Sequence, residues 1–276
     1  MTADLDGLGY RDTTAVVVGC STGIGVETLR ILGELGARVH AVGRHAPQLP
    51  HESFHATDLS DLDAVAATAR TLGEIGPIDH FLVCAGVPPV RPRAEVLRVN
   101  YVGIRYLVES ALPALADGAN ICVAASNTAY GWEQRLPALL ELVAIADPQE
   151  ALAWCDDNPE LAAEGFPAYI LSKQALITWV TYRAPSLGTE RRIRLNCAAP
   201  GLTETPMVDE IAAKAGSRDL IEAYPAPLFG RITTAEEGAW PMVLLNSPLN
   251  AAVTGAVLFA DQGVASGMAA GTISFV

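Results

Sequence analysis

The sequence lacks any apolar run of the ~18–20 residues that a membrane-spanning helix needs, and it does not open with a secretory signal. Positive charge is also scarce, because 18 lysines and arginines stand against 31 aspartates and glutamates, for a net charge of −13. Nucleic acids and anionic membrane surfaces attract basic proteins. We therefore expect a cytoplasmic protein with no nucleic-acid or membrane partner.

Disulfides and metal ligands are not indicated either. The five cysteines are odd in number, scattered and without a C-x-x-C pair, a pattern that favours buried thiols in a reducing compartment. All five histidines precede residue 81, and their spacing is not that of metal ligands. We predict no metal site.

Apolar residues are abundant, at 50% of the chain, and charged residues make up only 18%. Short apolar strands alternate with helical patterns from residues 16–18 to residues 256–260. Gly36 is predicted to end the first helix and Asp61 to cap the second. The fifth strand is predicted over residues 120–125, and later helices over residues 168–182 and 234–245. This alternation predicts an α/β fold with a doubly wound parallel sheet and helices on both faces, the Rossmann fold. Ligands bind such a sheet at the carboxyl ends of its strands. We predict one domain over residues 1–276.

The first strand runs into a glycine-rich turn, Gly19-Cys20-Ser21-Thr22-Gly23-Ile24-Gly25, and an amphipathic helix follows. A strand, a glycine turn and a helix N-terminus together form the geometry that receives a pyrophosphate. The G-x-x-x-G-x-G spacing differs from the common G-x-G-x-x-G dinucleotide fingerprint. Taken alone, it is also compatible with an ordinary tight turn.

Two segments interrupt the alternation. Residues 127–168 are predicted to form an insert of three short helices, in which Asp147-Pro148 and Asn158-Pro159 resemble the starts of the second and third, and Gly165 closes the third. Its aromatic residues either pin the insert to the body or wall a substrate site, and the sequence leaves both open: Tyr130, Trp132, Trp154 and Phe166. Residues 201–230 are long, apolar and proline-rich, which is typical of a functional loop. We predict that this second segment binds substrate.

Tyr169 and Lys173 are four residues apart in a predicted helix, so their side chains share one face. A tyrosine of ordinary pKa, about 10, is a poor base at neutral pH, and a nearby ammonium lowers that pKa. Ser126 directly follows a predicted strand, where its hydroxyl can hold a substrate oxygen. Asn100 is a polar residue among apolar helical neighbours. Each signal is weak alone, since surface pairs and buried amides are common.

Together these motifs stand in one order along the chain: Gly19-x-x-x-Gly23-x-Gly25, Asp58-Leu59, Ala85-Gly86, Asn100, Ser126, Tyr169-x-x-x-Lys173 and Pro200-Gly201-Leu202-Thr203. The set resembles that of the short-chain dehydrogenase/reductase family, over roughly residues 12–263. The long insert before Tyr169 is similar to that of bacterial 3α-hydroxysteroid dehydrogenase/carbonyl reductases. Residues 99–103, 131–133 and 194–197 resemble coniferyl-alcohol dehydrogenases.

The resemblance implies a catalytic tetrad. Tyr169 would be the acid/base, Lys173 would lower its pKa and bind the nicotinamide ribose, and Ser126 would orient the substrate oxygen. Asn100 would support a proton-relay water. The residues implied in cofactor binding are Gly19, Ser21, Thr22, Gly23, Ile24, Gly25, Gly43, Arg44, Asp58, Leu59, Ala85, Gly86, Tyr169, Lys173, Pro200, Gly201, Leu202 and Thr203.

Two positions depart from the family pattern. Cys84 replaces the asparagine that often precedes Ala-Gly, and Gly43 replaces the acidic residue often found at the end of the second strand. An acidic residue there hydrogen-bonds the ribose of NAD and repels the 2′-phosphate of NADP. With Gly43 followed by Arg44, whose guanidinium suits a phosphate, the sequence favours NADP, and NAD remains the alternative.

The resemblance therefore implies an NAD(P)-dependent oxidoreductase that interconverts an alcohol and a ketone or aldehyde. The apolar loop and insert point to a hydrophobic cyclic or aromatic substrate, such as a hydroxysteroid or a coniferyl-type alcohol. Members of the family are usually homodimers or homotetramers, and we expect the same here. The alternative function is a catalytically silent cofactor-binding regulatory or scaffold protein of the same fold.

Overall fold

The computed structural model describes residues 8–161, 163, 165–218 and 228–273. Its centre is a sheet of seven parallel strands in the order β3-β2-β1-β4-β5-β6-β7. The strands are β1 (Thr14–Val18), β2 (Arg38–Gly43), β3 (Ser53–Ala56), β4 (Ile78–Val83), β5 (Leu115–Ala124), β6 (Arg194–Pro200) and β7 (Val257–Ala260). The strand order reverses direction between β1 and β4, which is where a doubly wound sheet opens a crevice at its carboxyl edge.

The helices of the described chain are α1 (Gly23–Glu34), α2 (Leu62–Leu72), α3 (Arg93–Leu97), α4 (Ile104–Ala111), α5 (Leu136–Ala144), α6 (Pro148–Asp157), α7 (Phe166–Arg191), α8 (Pro206–Ala215), α9 (Ala235–Asn246) and α10 (Val264–Ala269). A π-helical segment, Arg98–Gly103, joins α3 to α4. None of these helices is both long and apolar enough to cross a bilayer.

The sheet is buried on both faces. Along β1, Val16 and Val18 belong to the core under α2, α4 and α7, and Ala15 and Val17 belong to the core under α1 and α9. A parallel strand buried on both sides reads as a continuous apolar run, which is the pattern of β1. The predicted doubly wound α/β sheet is confirmed.

Local signals placed several element ends well. Asp61 accepts hydrogen bonds from the backbone N–H groups of Asp63 and Ala64 at the start of α2. Gly36, predicted to end the first helix, has φ +90° and follows α1. Asp147 caps α6 in the same way as Asp61 caps α2, with Pro148 in the first helical turn.

Other boundaries were wrong. Asn158 ends α6 instead of starting a helix, since its Nδ2 donates to the Trp154 carbonyl at 2.8 Å. Residues 159–161 form a turn, and the rest of the predicted third helix includes residues 162 and 164, outside the described set. β5 begins at Leu115, five residues earlier than predicted, because a register irregularity lets the chain keep pairing with β4. The α7 helix was predicted to stop near residue 182.

Tertiary packing explains the longer α7. The helix continues through Pro185 to Arg191 because Ala184 and Leu187 remain buried on its core side. The segment 201–230, predicted as a loop, contains α8; residues 219–227 lie outside the described set. The helix predicted over 234–245 is followed by one more, α10, whose first turn is capped by the Asp261 carboxylate.

Candidate active site

The carboxyl ends of the strands open into a cavity of about 460 Å³, a normal size for a small-molecule site. Every residue predicted to bind a cofactor lines this cavity, from Gly19 in the first turn to Thr203 after β6, and so does Ser126. Asn100 is the one predicted site residue that lies behind the lining. The fold thus brings together predicted residues that lie as far apart in sequence as Gly19 and Thr203.

The glycine turn is tight enough to require glycine. A Cβ on Gly19 would lie 2.5 Å from the Cα of Ala85, and one on Gly25 would lie 1.9 Å from the Gly19 carbonyl oxygen. Gly19 and Gly23 also have φ of +81° and +57°, a region that favours glycine. These glycines therefore let β1, β4 and α1 approach each other closely at the cavity floor.

The start of α1 faces this cavity without a side-chain cap. Thr22 is the N-cap residue, its side chain makes no capping hydrogen bond, and the first turn holds no acidic residue. The backbone N–H groups of a first helical turn have no intrahelical partner and attract anions. The turn is therefore free to receive a phosphate.

The end of β2 forms the far side of the cavity. Gly43, Arg44 and His45 line it, and Arg44 and His45 are exposed. No acidic side chain of the described residues lies within 4.0 Å of Arg44. The pKa of the nearby Asp58 carboxyl is lowered, chiefly by the Ser60 N–H and hydroxyl and further by the Arg44 charge, against the effect of burial. This end of the cavity thus carries one carboxylate and one uncommitted guanidinium.

Ser126 follows β5 at the centre of the site. Its hydroxyl oxygen accepts hydrogen bonds from the Thr128 N–H at 3.2 Å and the Thr128 hydroxyl at 3.0 Å. A hydroxyl has two acceptor lone pairs and one proton. Because both contacts use the oxygen as acceptor, the Ser126 proton remains available for another oxygen in the cavity.

Tyr169 and Lys173 lie one turn apart on α7, and the Lys173 Nζ is 5.7 Å from the centre of the tyrosine ring. Burial raises the pKa of Tyr169 to about 12, although the nearby Ser126 hydroxyl acts to lower that pKa. Burial lowers the pKa of Lys173 to about 8. At neutral pH the phenol is therefore protonated and the ammonium charged. The Lys173 Nζ also donates to the Ala124 carbonyl at 3.1 Å, which fixes it beside the strand end.

Asn100 lies in the π-helical segment, is fully buried, and binds the backbone of the loop that follows β4. Its Oδ1 accepts from the Val87 N–H at 2.7 Å and its Nδ2 donates to the Val87 carbonyl at 2.9 Å. A Cβ on Gly86 would lie 3.3 Å from the same Oδ1 and 3.6 Å from the Lys173 Nζ. The amide therefore positions the backbone directly in front of the lysine.

The loop after β6 closes the cavity opposite α1. A Cβ on Gly201 would lie 2.9 Å from the Cβ of Asp261, so this residue must be small. Thr203 pairs with Thr233 in an isolated parallel bridge. This pairing ties the loop to the start of α9.

The apolar end of the cavity comes from residues outside the motif set, although Phe166 and the segment 201–230 had been predicted as candidates for a substrate site. Its lining includes Val87, Pro89, Phe166, Met207 and Ile211. Phe166 stands three residues before Tyr169 and shares its helix face. The sequence carried a usable signal for the last two, because Pro206 in the first turn of α8 and Gly216 in a left-handed conformation after it mark a helix with Met207 and Ile211 four apart.

The insert aromatics divide between the two alternatives. Phe166 lines the cavity and is 51% exposed, as expected for a wall residue. Trp132 and Trp154 pack against the main core and are not in the lining. Tyr130 contacts the ring of Phe259, with ring centres 6.5 Å apart. The structure therefore favours packing for the two tryptophans and a site role for Phe166 alone.

The comparisons with known proteins agree with this geometry. A family model described as short chain dehydrogenase matches residues 13–136, and one described as enoyl-(acyl carrier protein) reductase matches residues 158–265. The coniferyl-alcohol dehydrogenase of a Pseudomonas species is 35% identical over 201 residues, which are 73% of this chain and 77% of the relative.

Two further proteins are similar over almost the whole chain. The 3-alpha-hydroxysteroid dehydrogenase/carbonyl reductase of Comamonas testosteroni is 28% identical over 258 residues, 90% of this chain and 95% of the relative. The crystal structure of a Pseudomonas 3-alpha-hydroxysteroid dehydrogenase, solved with NADH, has a TM-score of 0.80 at 24% identity and covers 95% of this chain and 100% of its own. That structure shares the fold. The chain belongs to the short-chain dehydrogenase/reductase family of oxidoreductases.

Proposed function

We propose that the protein is an NAD(P)-dependent oxidoreductase that interconverts an alcohol and a ketone or aldehyde on a hydrophobic cyclic or aromatic substrate. The observation that carries this proposal is the single cavity that joins an uncapped helix start to Ser126, Tyr169 and Lys173. The names of the relatives, a coniferyl-alcohol and a 3-alpha-hydroxysteroid dehydrogenase, support a ring-bearing substrate.

The residues present fit a nicotinamide dinucleotide. The glycine turn and the first N–H groups of α1 would hold its pyrophosphate, Asp58 and Leu59 would contact the adenine, and residues 200–203 the nicotinamide end. When bound, the nicotinamide ring supplies or accepts a hydride. Lys173 would donate to the ribose next to that ring, beside its bond to the Ala124 carbonyl.

Tyr169 handles the proton in this proposal. In the reducing direction its protonated phenol donates to the substrate carbonyl oxygen, while the Ser126 hydroxyl donates to the same oxygen and fixes its place. The Lys173 ammonium then stabilises the phenolate. In the oxidising direction the phenolate takes the alcohol proton back. Asn100 keeps the backbone in front of Lys173 in place. By the family resemblance, Asn100 would also support a proton-relay water.

NADP is the cofactor we favour, with NAD as the alternative. The uncommitted, exposed guanidinium of Arg44 at the end of β2 suits a 2′-phosphate, and Ser21 and Thr22 add hydroxyl donors across the cavity. Gly43 offers no carboxylate to repel that phosphate. The Asp58 carboxylate accepts hydrogen bonds from the Ser60 N–H and hydroxyl and forms no ion pair with Arg44 within 4.0 Å.

The substrate side of the proposal rests on the apolar end of the cavity and on residues 201–230 as the substrate-binding loop. No observation favours the alternative of a catalytically silent scaffold, because Ser126, Tyr169 and Lys173 all reach one cavity. The proposal includes a single domain, a cytoplasmic location and a homodimer or homotetramer. Light scattering of the purified protein tests the assembly.

The decisive test is Tyr169→Phe, which removes the transferable proton and little else. We expect turnover of ketones and aldehydes, followed by NAD(P)H absorbance, to fall by about 10²–10⁴-fold, with cofactor affinity by calorimetry unchanged. Tyr10→Phe is the matched control, because its buried hydroxyl donates to the Val243 carbonyl at 2.6 Å, remote from the cavity. If Tyr169→Phe keeps more than about a tenth of the wild-type kcat, the assignment is wrong.

A further inference from the structure

The chain has only two lysines, and they line two neighbouring depressions of the surface. Lys173 lies in the cavity, and Lys214, near the end of α8, lines an open groove beside it. The cavity and the groove share Pro89 and Phe166 as common wall residues, so they meet at the mouth of the site. A second lysine at this place is notable in a chain with a net charge of −13.

The residues of α8 lead from the reacting centre to this groove. Met207, Ile211 and Lys214 are spaced i, i+4 and i+7 and therefore form one stripe on the helix. Met207 begins the stripe beside the centre, because its Cε is 3.9 Å from the Cβ position of Gly86, which itself is 3.6 Å from the Lys173 Nζ. At 1.5 Å per residue, Lys214 lies roughly 10 Å farther along the helix axis than Met207.

A second cation lines the same groove. Arg91 lines it from the loop after β4, and its Nε forms an ion pair with Glu210 of α8 at 2.7 Å. Glu210 precedes Lys214 by one turn but is committed to Arg91, and Lys214 has no carboxylate within 4.0 Å among the described residues. The described residues that line the groove thus include two cations, Arg91 and Lys214, and no carboxylate.

We propose that this groove is a subsite for an anionic group of the substrate. The substrate would be a ring ketone, aldehyde or alcohol whose reacting carbon lies at Tyr169 and whose ring packs against Phe166, Met207 and Ile211. A carboxylate on a short arm at the far end of the ring would meet Lys214 and Arg91. This inference rests on the proposed function and narrows its substrate to cyclic or aromatic oxo- and hydroxy-acids.

The experiment compares acids with their neutral methyl esters. The probes are 3-(4-oxocyclohexyl)propanoate and 4-carboxycinnamaldehyde, each beside its methyl ester, with kcat/KM measured for both members of a pair. We expect the wild type to prefer the acid by about fivefold, the scale of one partly exposed charge pair, and the preference to shrink as salt is added. Lys214→Met should abolish most of it, and Lys214→Glu should reverse it.

The matched control is Arg70→Met, which removes one positive charge from an exposed position of α2, outside the cavity and the groove. It should leave the acid-to-ester ratio unchanged. An equal acid-to-ester ratio of kcat/KM in the wild type and Lys214→Met, or an equally large loss of the preference in Arg70→Met, would overturn the subsite. Turnover of the esters would still support the proposed function in that case.

If neither carbonyl probe is turned over, binding measurements test the anionic subsite separately from the proposed oxidoreductase activity. Calorimetry with 4-hydroxycinnamate and its methyl ester needs no turnover. A preference for the acid that Lys214→Met removes would support the subsite even if neither carbonyl probe reacts. Equal affinity of the acid and the ester in the wild type, or no binding of either, would overturn it.

Discussion

Asn100 offers a prediction in which stability and activity can be separated. The side chain is fully buried and makes two hydrogen bonds, both to the backbone of Val87. Asn100→Ala removes both and leaves a buried N–H and a buried carbonyl without their partner. At about 1 kcal/mol for each bond, and up to about 3 kcal/mol for each group left unpaired, we expect the free energy of unfolding to fall by about 2–4 kcal/mol.

The chain offers a matched control in Asn246, at the end of α9. It is equally buried and also makes two side-chain hydrogen bonds, to the His80 Nδ1 at 2.7 Å and to the Asn120 carbonyl at 2.8 Å. Asn246→Ala should therefore destabilise the fold by a similar amount. Neither Asn246 nor its partners His80 and Asn120 line the cavity, whereas Val87, the partner of Asn100, does. Asn246→Ala should therefore leave kcat/KM unchanged wherever the variant is folded.

Asn100→Ala should in addition lower kcat/KM by roughly 10²-fold, because a shift of the backbone in front of Lys173 displaces the reacting groups. Urea unfolding gives the stabilities, and NAD(P)H absorbance gives the rates below the unfolding transition. Equal losses of activity in both variants would show that activity follows stability alone. A destabilisation below about 0.5 kcal/mol for Asn100→Ala would refute the hydrogen-bond argument itself.

Three further predictions concern cofactor, substrate and pH. Gly43→Asp should turn a preference for NADP(H) into one for NAD(H) in kcat/KM, since its Cβ has no neighbour closer than 3.8 Å; a wild type that prefers NAD(H) would contradict this. Phe166→Ala should raise KM for bulky ketones more than for small ones, whereas Trp132→Ala should lower only the unfolding midpoint. Burial lowers the pKa of Lys173 from 10.5 to about 8. Between pH 8 and pH 10.5 the unfolded chain therefore binds more protons than the folded chain, and the free energy of unfolding rises with pH over this range. Lys173→Met should lack this gain of roughly 3 kcal/mol in pH-dependent urea unfolding, and an identical pH profile would refute it.

Local patterns predicted those parts of the fold that depend on neighbouring residues. The sequence predicted the β1 run, the glycine turn and the caps at Asp61 and Asp147, because a cap or a turn is made by residues within a few positions of each other. The prediction that Asn158 starts a helix was wrong, because asparagine occurs at both ends of helices. Its side-chain amide here donates to the carbonyl of Trp154, in the helix that precedes it.

The candidate site was predicted in part. The motif residues from Gly19 to Thr203 converge on one cavity, as the carboxyl-edge rule for parallel sheets implies. The tryptophans of the insert could not be assigned from sequence, since an aromatic residue in an amphipathic pattern suits a core and a substrate wall equally well. Only the tertiary packing of the insert decided that Trp132 and Trp154 lie partly buried against the core and that Phe166 lines the cavity.

The sequence by itself therefore determined the alternation of strands and helices, the glycine turn and the order of the motifs, because these follow from backbone geometry and spacing along the chain. The tertiary structure decided which distant side chains share a wall. Met207 and Ile211 of α8, Phe166 of α7 and Lys214 at the mouth are brought together only when α8 folds back over the carboxyl edge of the sheet. Distances between residues far apart in sequence depend on the packing of the whole core, and no local pattern encodes them.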